Sequence, residues 1–220
     1  MNASSQDLPS SAGLSSVPDA LVCVVDDDES IRKGLSRLFR SASISSETFP
    51  SAQAYLDRKS YEGPCCLVLD VRMPGIGGLE LQKTLAERGE QIVFITGHGD
   101  VPTCAGAMKA GAVDFLTKPF DDEDLLAAVR RALARSSKSR KIVNERREAR
   151  ERLSLLTPRE IEVMRGVVAG LLNKQIAAEL GAAEKTIKTH RGRVMEKTGT
   201  TSVADLVRLA QTAGIAQIRQ

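Results

Sequence analysis

Between residues 20 and about 134, short apolar runs alternate with segments in which apolar residues recur at helical spacing. The runs are 21–25, 44–49, 65–69, 91–96 and 113–117, and the intervening helical segments are 30–41, 51–59, 78–88 and 101–110. Ile31, Leu35, Leu38 and Phe39 show the spacing that gathers apolar side chains on one helix face. A fifth helical segment begins near Asp121 and continues through Leu125, Leu126, Val129 and Leu133. Its opening acids, Asp121, Asp122, Glu123 and Asp124, suit the positive end of a helix. Near-continuous apolar strands separated by helices imply a parallel sheet covered on both faces. The pattern predicts an α/β, doubly wound, five-stranded domain over residues 20–135, with five helices.

The pattern then changes. Residues 136–152 (SSKSRKIVNERREARER) are charged, with few apolar anchors. They predict a linker over 136–154 that can be helical, a solvated tether rather than a specific coiled coil. From Leu155 onward the periodicity is wholly helical. Thr157-Pro158-Arg159-Glu160 carries an N-cap, a first-turn proline and a glutamate three residues after the cap. That helix is expected to run to about Ala169, with Gly170 ending it. Asn173 is expected to cap a second helix, Lys174 to Leu180. Gly181-Ala182-Ala183 forms a tight turn into a third, Glu184 to Lys197, and Ser202 with Asp205 opens a fourth, 203–213. Two helices joined by a short Gly-containing turn match a helix-turn-helix, so 155–220 is expected to be an all-α four-helix domain. The Ser-rich residues 1–19 are expected to be a disordered tail.

Composition narrows the function. The 220 residues suit one to two domains, and 42% hydrophobic content supplies their cores. Aromatic content is 3% with no Trp, so aliphatic residues must do the packing. No apolar stretch is long enough to span a membrane, and the N-terminus lacks the basic and apolar regions of a secretory signal. A cytoplasmic protein is expected. Cys23, Cys65, Cys66 and Cys104 form no CxxC pair, and three lie in apolar runs, which predicts buried free thiols in a reducing compartment. A redox role for Cys104 is the minor alternative. The count of two histidines argues against a His-based metal site.

The net charge of +3 conceals an asymmetry. Residues 1–124 hold 11 Lys and Arg against 19 Asp and Glu; residues 125–220 hold 20 against 9. The basic half points to nucleic acid.

Candidate chemistry gathers where the apolar runs end. Residues 21–25 lead into Asp26, Asp27 and Asp28, residues 65–69 into Asp70, and residues 114–117 into Lys118-Pro119. Open α/β sheets bind ligands beyond the carboxyl ends of their strands. Parallel neighbours there would bring carboxylates and one ammonium together. Mg²⁺ (or Mn²⁺) takes such oxygens, with Asp27 and Asp70 as direct ligands, Asp26 through water and the Arg72 backbone carbonyl as a further donor. Asp70 is then a carboxylate nucleophile that forms an aspartyl phosphate. Lys118 supplies positive charge to the phosphoryl oxygens, and Thr96, ending the fourth strand, can donate its hydroxyl. Singly, each is an ordinary turn, cap or loop residue; five in order at strand ends are not.

The third C-terminal helix carries Lys185, Thr186, Lys188, Thr189, His190, Arg191, Arg193 and Lys197 as candidate DNA contacts. Ile187, Val194 and Met195 can face the core while Lys185, Lys188, Thr189 and Arg193 project outward to phosphates or guanine edges. Gly192 costs about 1 kcal/mol relative to Ala in a helix, against which close approach to the DNA backbone is a possible gain. The alternative is a solvated basic face.

VVDDD (24–28), LDVRMPG (69–75), ITGHGDV (95–101), MKAGAVDF (108–115) and TKPF (117–120) resemble a two-component response-regulator receiver domain. The resemblance implies phosphotransfer to Asp70 from a sensor histidine kinase, with Asp26 and Asp27 as the acidic pair. It implies that Thr96 is the switch hydroxyl, Phe115 the aromatic switch position without a ring hydroxyl, and Lys118-Pro119 the family's commonly cis bond. His98 lies in a Gly-flanked loop and is expected to be an exposed loop residue.

LTPRE (156–160), VAGLLNKQIAAELG (168–181) and KTIKTHRGRVMEKTG (185–199) resemble the LuxR-type helix-turn-helix, and the combined chain resembles the FixJ-like branch of the NarL/FixJ family. One departure is Ala182-Ala183 where Ile-Ser is common; losing a Ser cap costs about 0.5–2 kcal/mol.

The expectation that follows is a transcription regulator whose phosphorylation repositions Thr96 and Phe115, drives homodimerisation or releases an inhibited DNA-binding domain, and seats paired domains on promoter DNA half-sites. RNA polymerase is a further expected partner, a membrane is not, and the only expected turnover is slow self-dephosphorylation. Two alternatives compete: a phosphorylation-independent DNA binder whose receiver serves dimerisation or another ligand, and a phosphohydrolase. Arg72 stands where such hydrolases often place a second acid.

Overall fold

The computed structural model describes residues 19–97 and 101–215. Residues 1–18 of the expected tail, and His98 with its loop neighbours Gly99 and Asp100, lie outside the described residues.

The α/β part contains β1 (Leu21–Val25), α1 (Glu29–Ser41), β2 (Ser45–Phe49), α2 (Ala52–Leu56), β3 (Cys65–Asp70), α3 (Gly78–Leu85), β4 (Gln91–Thr96), α4 (Val101–Lys109), β5 (Asp114–Thr117) and α5 (Asp122–Ser154). The five strands form one sheet in the order β2-β1-β3-β4-β5, every pair parallel. This is the doubly wound fold expected from the alternating pattern. β1 and β3 are neighbours from which the chain winds in opposite directions, which opens a crevice at their carboxyl ends.

Period-two alternation sorts the core into two layers. Val22, Val24, Cys66, Val68, Val93 and Ile95 pack with Leu35 and Phe39 of α1 and Leu125, Val129 and Leu133 of α5. Cys23, Val25, Leu67, Leu69 and Phe94 face the other way, onto Tyr55 of α2 and Leu81 and Leu85 of α3. The edge strands β2 and β5 are only partly covered. Cys23, Cys65 and Cys66 are buried, Cys104 is half-buried, and none of the four is in a disulfide.

α5 is longer than its apolar periodicity suggested. It continues unbroken to Ser154, through the whole charged segment. That stretch contains no Gly or Pro, is rich in Lys, Arg and Glu, and carries i,i+4 ion pairs Lys141–Glu145 and Arg147–Glu151. Local propensity therefore sustains the helix across residues 141–148, where every side chain is exposed.

The chain divides into two compact units at Lys138/Ser139. The second contains the end of α5 and α6 (Pro158–Val168), α7 (Asn173–Glu179), α8 (Glu184–Thr198) and α9 (Val203–Thr212). Its core joins Ala149, Leu153 and Leu156 to Val163, Met164, Ile176, Ile187, Val194 and Leu206. The Thr157/Glu160 capping box forms as the sequence predicts, with Glu160 N–H on Thr157 Oγ1 at 3.3 Å and Thr157 N–H on Glu160 Oε2 at 2.8 Å. Ser202 Oγ likewise accepts from Asp205 N–H to open α9.

The expected cap of α7 is corrected. Asn173 is itself the first helical residue, and the extended residue before it is Leu172, whose N–H is held by Gln175 Oε1 at 2.8 Å. Asn173, freed from capping, accepts instead from Arg191 Nη1 of α8 at 3.1 Å. Ala183 leaves the start of α8 without a side-chain cap. No described helix is long and apolar enough to cross a membrane.

Candidate functional site

The loop after β1 sorts its three acids. Asp28 becomes the N-cap of α1, accepting from the N–H groups of Ser30 at 2.7 Å and Ile31 at 3.4 Å. Those two donors hold its carboxyl below the usual range. Asp26, 1% exposed, accepts Asp28 N–H on Oδ1 at 2.9 Å, and Asp27 is left exposed at the crevice. From the first turn of α1, Arg32 Nη1 reaches back to the carbonyls of Asp26 and Asp27 at 2.7 and 2.9 Å. Arg32 is a site residue outside every sequence motif. Its position one turn into α1 after an acidic loop is the signal that could have singled it out.

Asp70 ends β3 and is 7% exposed. Burial raises the proton affinity of its carboxyl; Lys118 opposes the shift, while Asp26 and Asp27 add to it. Oxygens of Asp26, Asp27 and Asp70 all lie within 4.8 Å of one another. Hard, acidic oxygens so grouped fit a divalent cation such as Mg²⁺. Arg72, two residues beyond Asp70, is exposed.

Gly78 is a second residue whose role was not anticipated. It opens α3 directly behind Asp70, and a Cβ there would lie 2.2 Å from the Asp70 carbonyl oxygen. The absence of a side chain lets α3 begin against the end of β3, with Gly78 N–H on Val71 O at 3.0 Å. The doubled Gly77-Gly78 at the start of a predicted helix was the available cue.

Lys118 follows β5. Its N–H is held by Thr96 O at 2.7 Å, and its bond to Pro119 is cis, as the resemblance implies. Nζ lies 2.7 Å from Asp26 Oδ2 and 3.8 Å from Asp70 Oδ1. Thr96, at the end of β4, is 1% exposed. Phe115 is half-buried on β5, its ring 6.0 Å from that of Phe94 at 42°. The geometry thus collects Asp26, Asp27, Asp70 and Lys118 around one crevice, with Thr96 closing the adjacent strand. A nucleophilic carboxylate beside two acids that can hold a cation, and one ammonium, is equipped to accept a phosphoryl group.

In the second unit, α8 buries Ile187 and Val194 and leaves Lys185, Thr186, Lys188, Thr189 and Arg193 exposed. Gly192 is open: apart from its chain neighbours and its own helix backbone, no heavy atom lies within 4 Å of the position a Cβ would occupy. His190 and Arg191 are half-buried, and Arg191 is engaged by Asn173. Lys197 departs from the expectation. Its Nζ lies 2.7 Å from Glu160 Oε2, a carboxylate side chain only 3% exposed, so its charge ties α8 to the start of α6. The reason is position: Lys197 lies in the last turn, level with the capping box of α6, and the outward basic face is built by residues 185–193.

Comparison with known proteins places both halves. Residues 22–130 match the response regulator receiver domain, and residues 154–210 match the bacterial regulatory proteins of the luxR family. The chain is 48% identical to Nodulation protein W of Bradyrhizobium diazoefficiens over 198 residues, covering 89% of this chain and 87% of that protein. It is 44% identical to the transcriptional regulatory protein FixJ of Azorhizobium caulinodans, covering 91% and 96%. The solved structure of the response regulator StyR aligns at 46% identity with a TM-score of 0.81, covering 87% of this chain and 98% of that one.

Proposed function

The chain belongs to the response regulators that join a receiver domain to a LuxR-type DNA-binding domain, and on that premise we propose that a sensor histidine kinase phosphorylates Asp70 to control dimerisation and sequence-specific promoter binding. It is a transcription regulator by family. The observation that carries the proposal is the crevice itself: a buried carboxylate with raised proton affinity, grouped with two acids and faced by Lys118.

Asp70 Oδ attacks the phosphorus of a phosphohistidine, forming the O–P bond as the P–N bond breaks and imidazole leaves. Mg²⁺ (or Mn²⁺) would be held by Asp27, Asp70 and the Arg72 carbonyl, with Asp26 through water, and would supply positive charge that offsets repulsion between these acids and the phosphoryl oxygens. Arg32 fixes the loop that presents Asp26 and Asp27. Lys118 turns its ammonium from Asp26 toward the new phosphoryl oxygens, and the Thr96 hydroxyl donates to them. Phe115, half-buried beside Phe94, rearranges with Thr96 and reshapes the surface formed by α4 and α5. Slow self-dephosphorylation of the aspartyl phosphate is the only turnover.

In this scheme residues 20–135 are the receiver, 136–154 the helical linker and 155–220 the output domain. Paired output domains present Lys185, Thr186, Lys188, Thr189 and Arg193, with His190 and Arg191 behind them, to the major groove of two half-sites. RNA polymerase reads the result, in the cytoplasm where promoter DNA lies. Arg72, occupying the place where an acid would serve hydrolysis, favours signalling over a phosphohydrolase. Incubation with acetyl phosphate and Mg²⁺ tests the acceptor: intact-mass spectrometry should find one added phosphoryl group on the wild type and none on Asp70→Asn. Labelling that survives in Asp70→Asn would reject Asp70.

A further inference from the structure

The charged helix segment that looks like a tether places two arginines on helix ends. Arg152 of α5 directs both Nε, at 2.7 Å, and Nη2 onto the carbonyl of Thr198, the last residue of α8. Two residues earlier, Arg150 Nε donates to the carbonyl of Ala213, which terminates α9, at 3.2 Å. Each of these helices ends in a left-handed glycine, Gly199 at φ +60° and Gly214 at φ +83°. A Cβ on Gly199 would lie 3.6 Å from Arg152 Nη2, and one on Gly214 3.9 Å from Arg150 Nη2. The same device therefore occurs twice: a guanidinium from α5 seated against the carbonyl end of a helix, beside the glycine that turns the chain.

The physics explains the pairing. The last carbonyls of a helix lack intrahelical donors, and the partial negative charge there favours a cation. Neither guanidinium has a carboxylate partner among the described residues; both are directed at helix-end carbonyls. The neighbourhood of Thr198 is tightly ordered. Thr198 is 1% exposed, its Oγ1 lies 2.6 Å from Val194 O and 2.9 Å from Thr200 Oγ1, and Lys197 is tied to Glu160. Ala149 and Leu153, flanking the arginines on α5, are buried in the same core as Ile187 and Val194 of α8. The start of α8, by contrast, has no side-chain cap. Side chains of α5 thus hold the carboxyl end of α8, while Ile187 and Arg191 anchor its body to the core and to α7.

We propose that Arg152 is a positioning residue for DNA recognition, holding the end of α8 through Thr198 O, and that Arg150 secures α9 in the same way. Arg152 touches no base or phosphate in this scheme; it sets the angle at which Lys185, Lys188 and Arg193 are presented. The inference rests on α8 being the DNA-reading helix, and it makes the last turns of α5 part of the output domain's reading machinery rather than a spacer.

The test uses the full-length chain as wild type, Arg152→Ala, Arg152→Lys and Arg150→Ala, with two DNA probes: a duplex enriched by the wild type from a randomised pool, and an unselected duplex of the same length. Arg152→Ala should lower the ratio of selected to unselected affinity about three- to tenfold, with Arg152→Lys recovering part of it. The salt dependence of binding to the unselected duplex should not change. Amide hydrogen exchange over 194–198 should quicken in Arg152→Ala while α6 keeps its protection; Arg150→Ala should quicken exchange at the end of α9 instead. An unchanged affinity ratio with quickened exchange, or a salt slope reduced by about one, which marks a lost phosphate contact, overturns the proposal. Failure of the wild type to enrich any sequence defeats the assignment of α8 as a DNA reader. In that event unchanged exchange over 194–198 in Arg152→Ala also removes Arg152's hold on the helix, and quickened exchange upholds that hold.

Discussion

Lys118 lies 2.7 Å from Asp26 and 3.8 Å from Asp70, so its ammonium rests on the acid that is not the proposed acceptor. Asp26 is 1% exposed and depends on that pairing. Lys118→Ala should therefore destabilise the receiver by about 1–3 kcal/mol, measured by urea denaturation. It should also slow labelling by acetyl phosphate, because the charge that would stabilise the transferred phosphoryl group is gone. Full stability together with full labelling rate would contradict both roles.

Asp70 carries a burden when no ligand neutralises it. Burial raises its proton affinity above that of the unfolded chain, so the native state binds the extra proton and stability falls as pH rises through that window. The penalty is complete above the raised value and absent below the ordinary aspartate range. Asp70→Asn should therefore melt at a higher temperature than wild type at neutral pH, with the difference vanishing below about pH 4. Added Mg²⁺ should narrow the gap by stabilising the wild type preferentially. A lower melting temperature for Asp70→Asn at neutral pH would contradict the assignment of burial as the dominant cause.

Gly78 has no room to grow. With a Cβ 2.2 Å from the Asp70 carbonyl, Gly78→Ala must push either α3 or the end of β3 aside. A cost of about 1–3 kcal/mol is expected by thermal or urea denaturation. Labelling should fall more than it does for Gly34→Ala, whose added methyl meets open space on α1.

In the second unit Glu160 serves two helices, closing the cap of α6 and pairing with Lys197 of α8. Lys197 first, and then the Thr157 N–H, lower its pKa from 4.5 to about 2. A depressed carboxylate contributes stability that is complete above its unfolded value and is lost as pH falls through its folded one. That contribution should therefore fade between pH 4.5 and about 2. Glu160→Gln should cost about 1–3 kcal/mol at neutral pH and flatten the acid limb of the stability profile, measured by urea denaturation across that range.

The doubly wound sheet was legible because fully buried strands such as Cys65–Leu69 leave an apolar run that only a covered parallel sheet explains. The acids at strand ends were legible for the same reason, since a charge can follow such a strand only where the sheet opens. The continuity of α5 was not: its middle residues pack on nothing, so they leave no apolar period, and helix propensity alone carries them. Asn173 misled because its residue type favours a cap, whereas Gln175 and the extended Leu172 supply it. Lys197 read as one more base in a basic run because its partner Glu160 is distant in sequence and already explained by its cap. Arg32 and Gly78 left only local cues, an arginine one turn after an acidic loop and a doubled glycine at a helix start, whereas Arg150 and Arg152 act on carbonyls distant in sequence and leave no pattern.

The central claim is that chemistry at Asp70 governs reading by α8. Its most direct test is fluorescence anisotropy of full-length wild type and Asp70→Asn on a duplex enriched by the wild type from a randomised pool, with and without acetyl phosphate and Mg²⁺. The account predicts that the phosphodonor tightens binding by the wild type about tenfold or more and leaves Asp70→Asn unmoved. An equal response from the two proteins, or none from a wild type shown by mass to be phosphorylated, would contradict it.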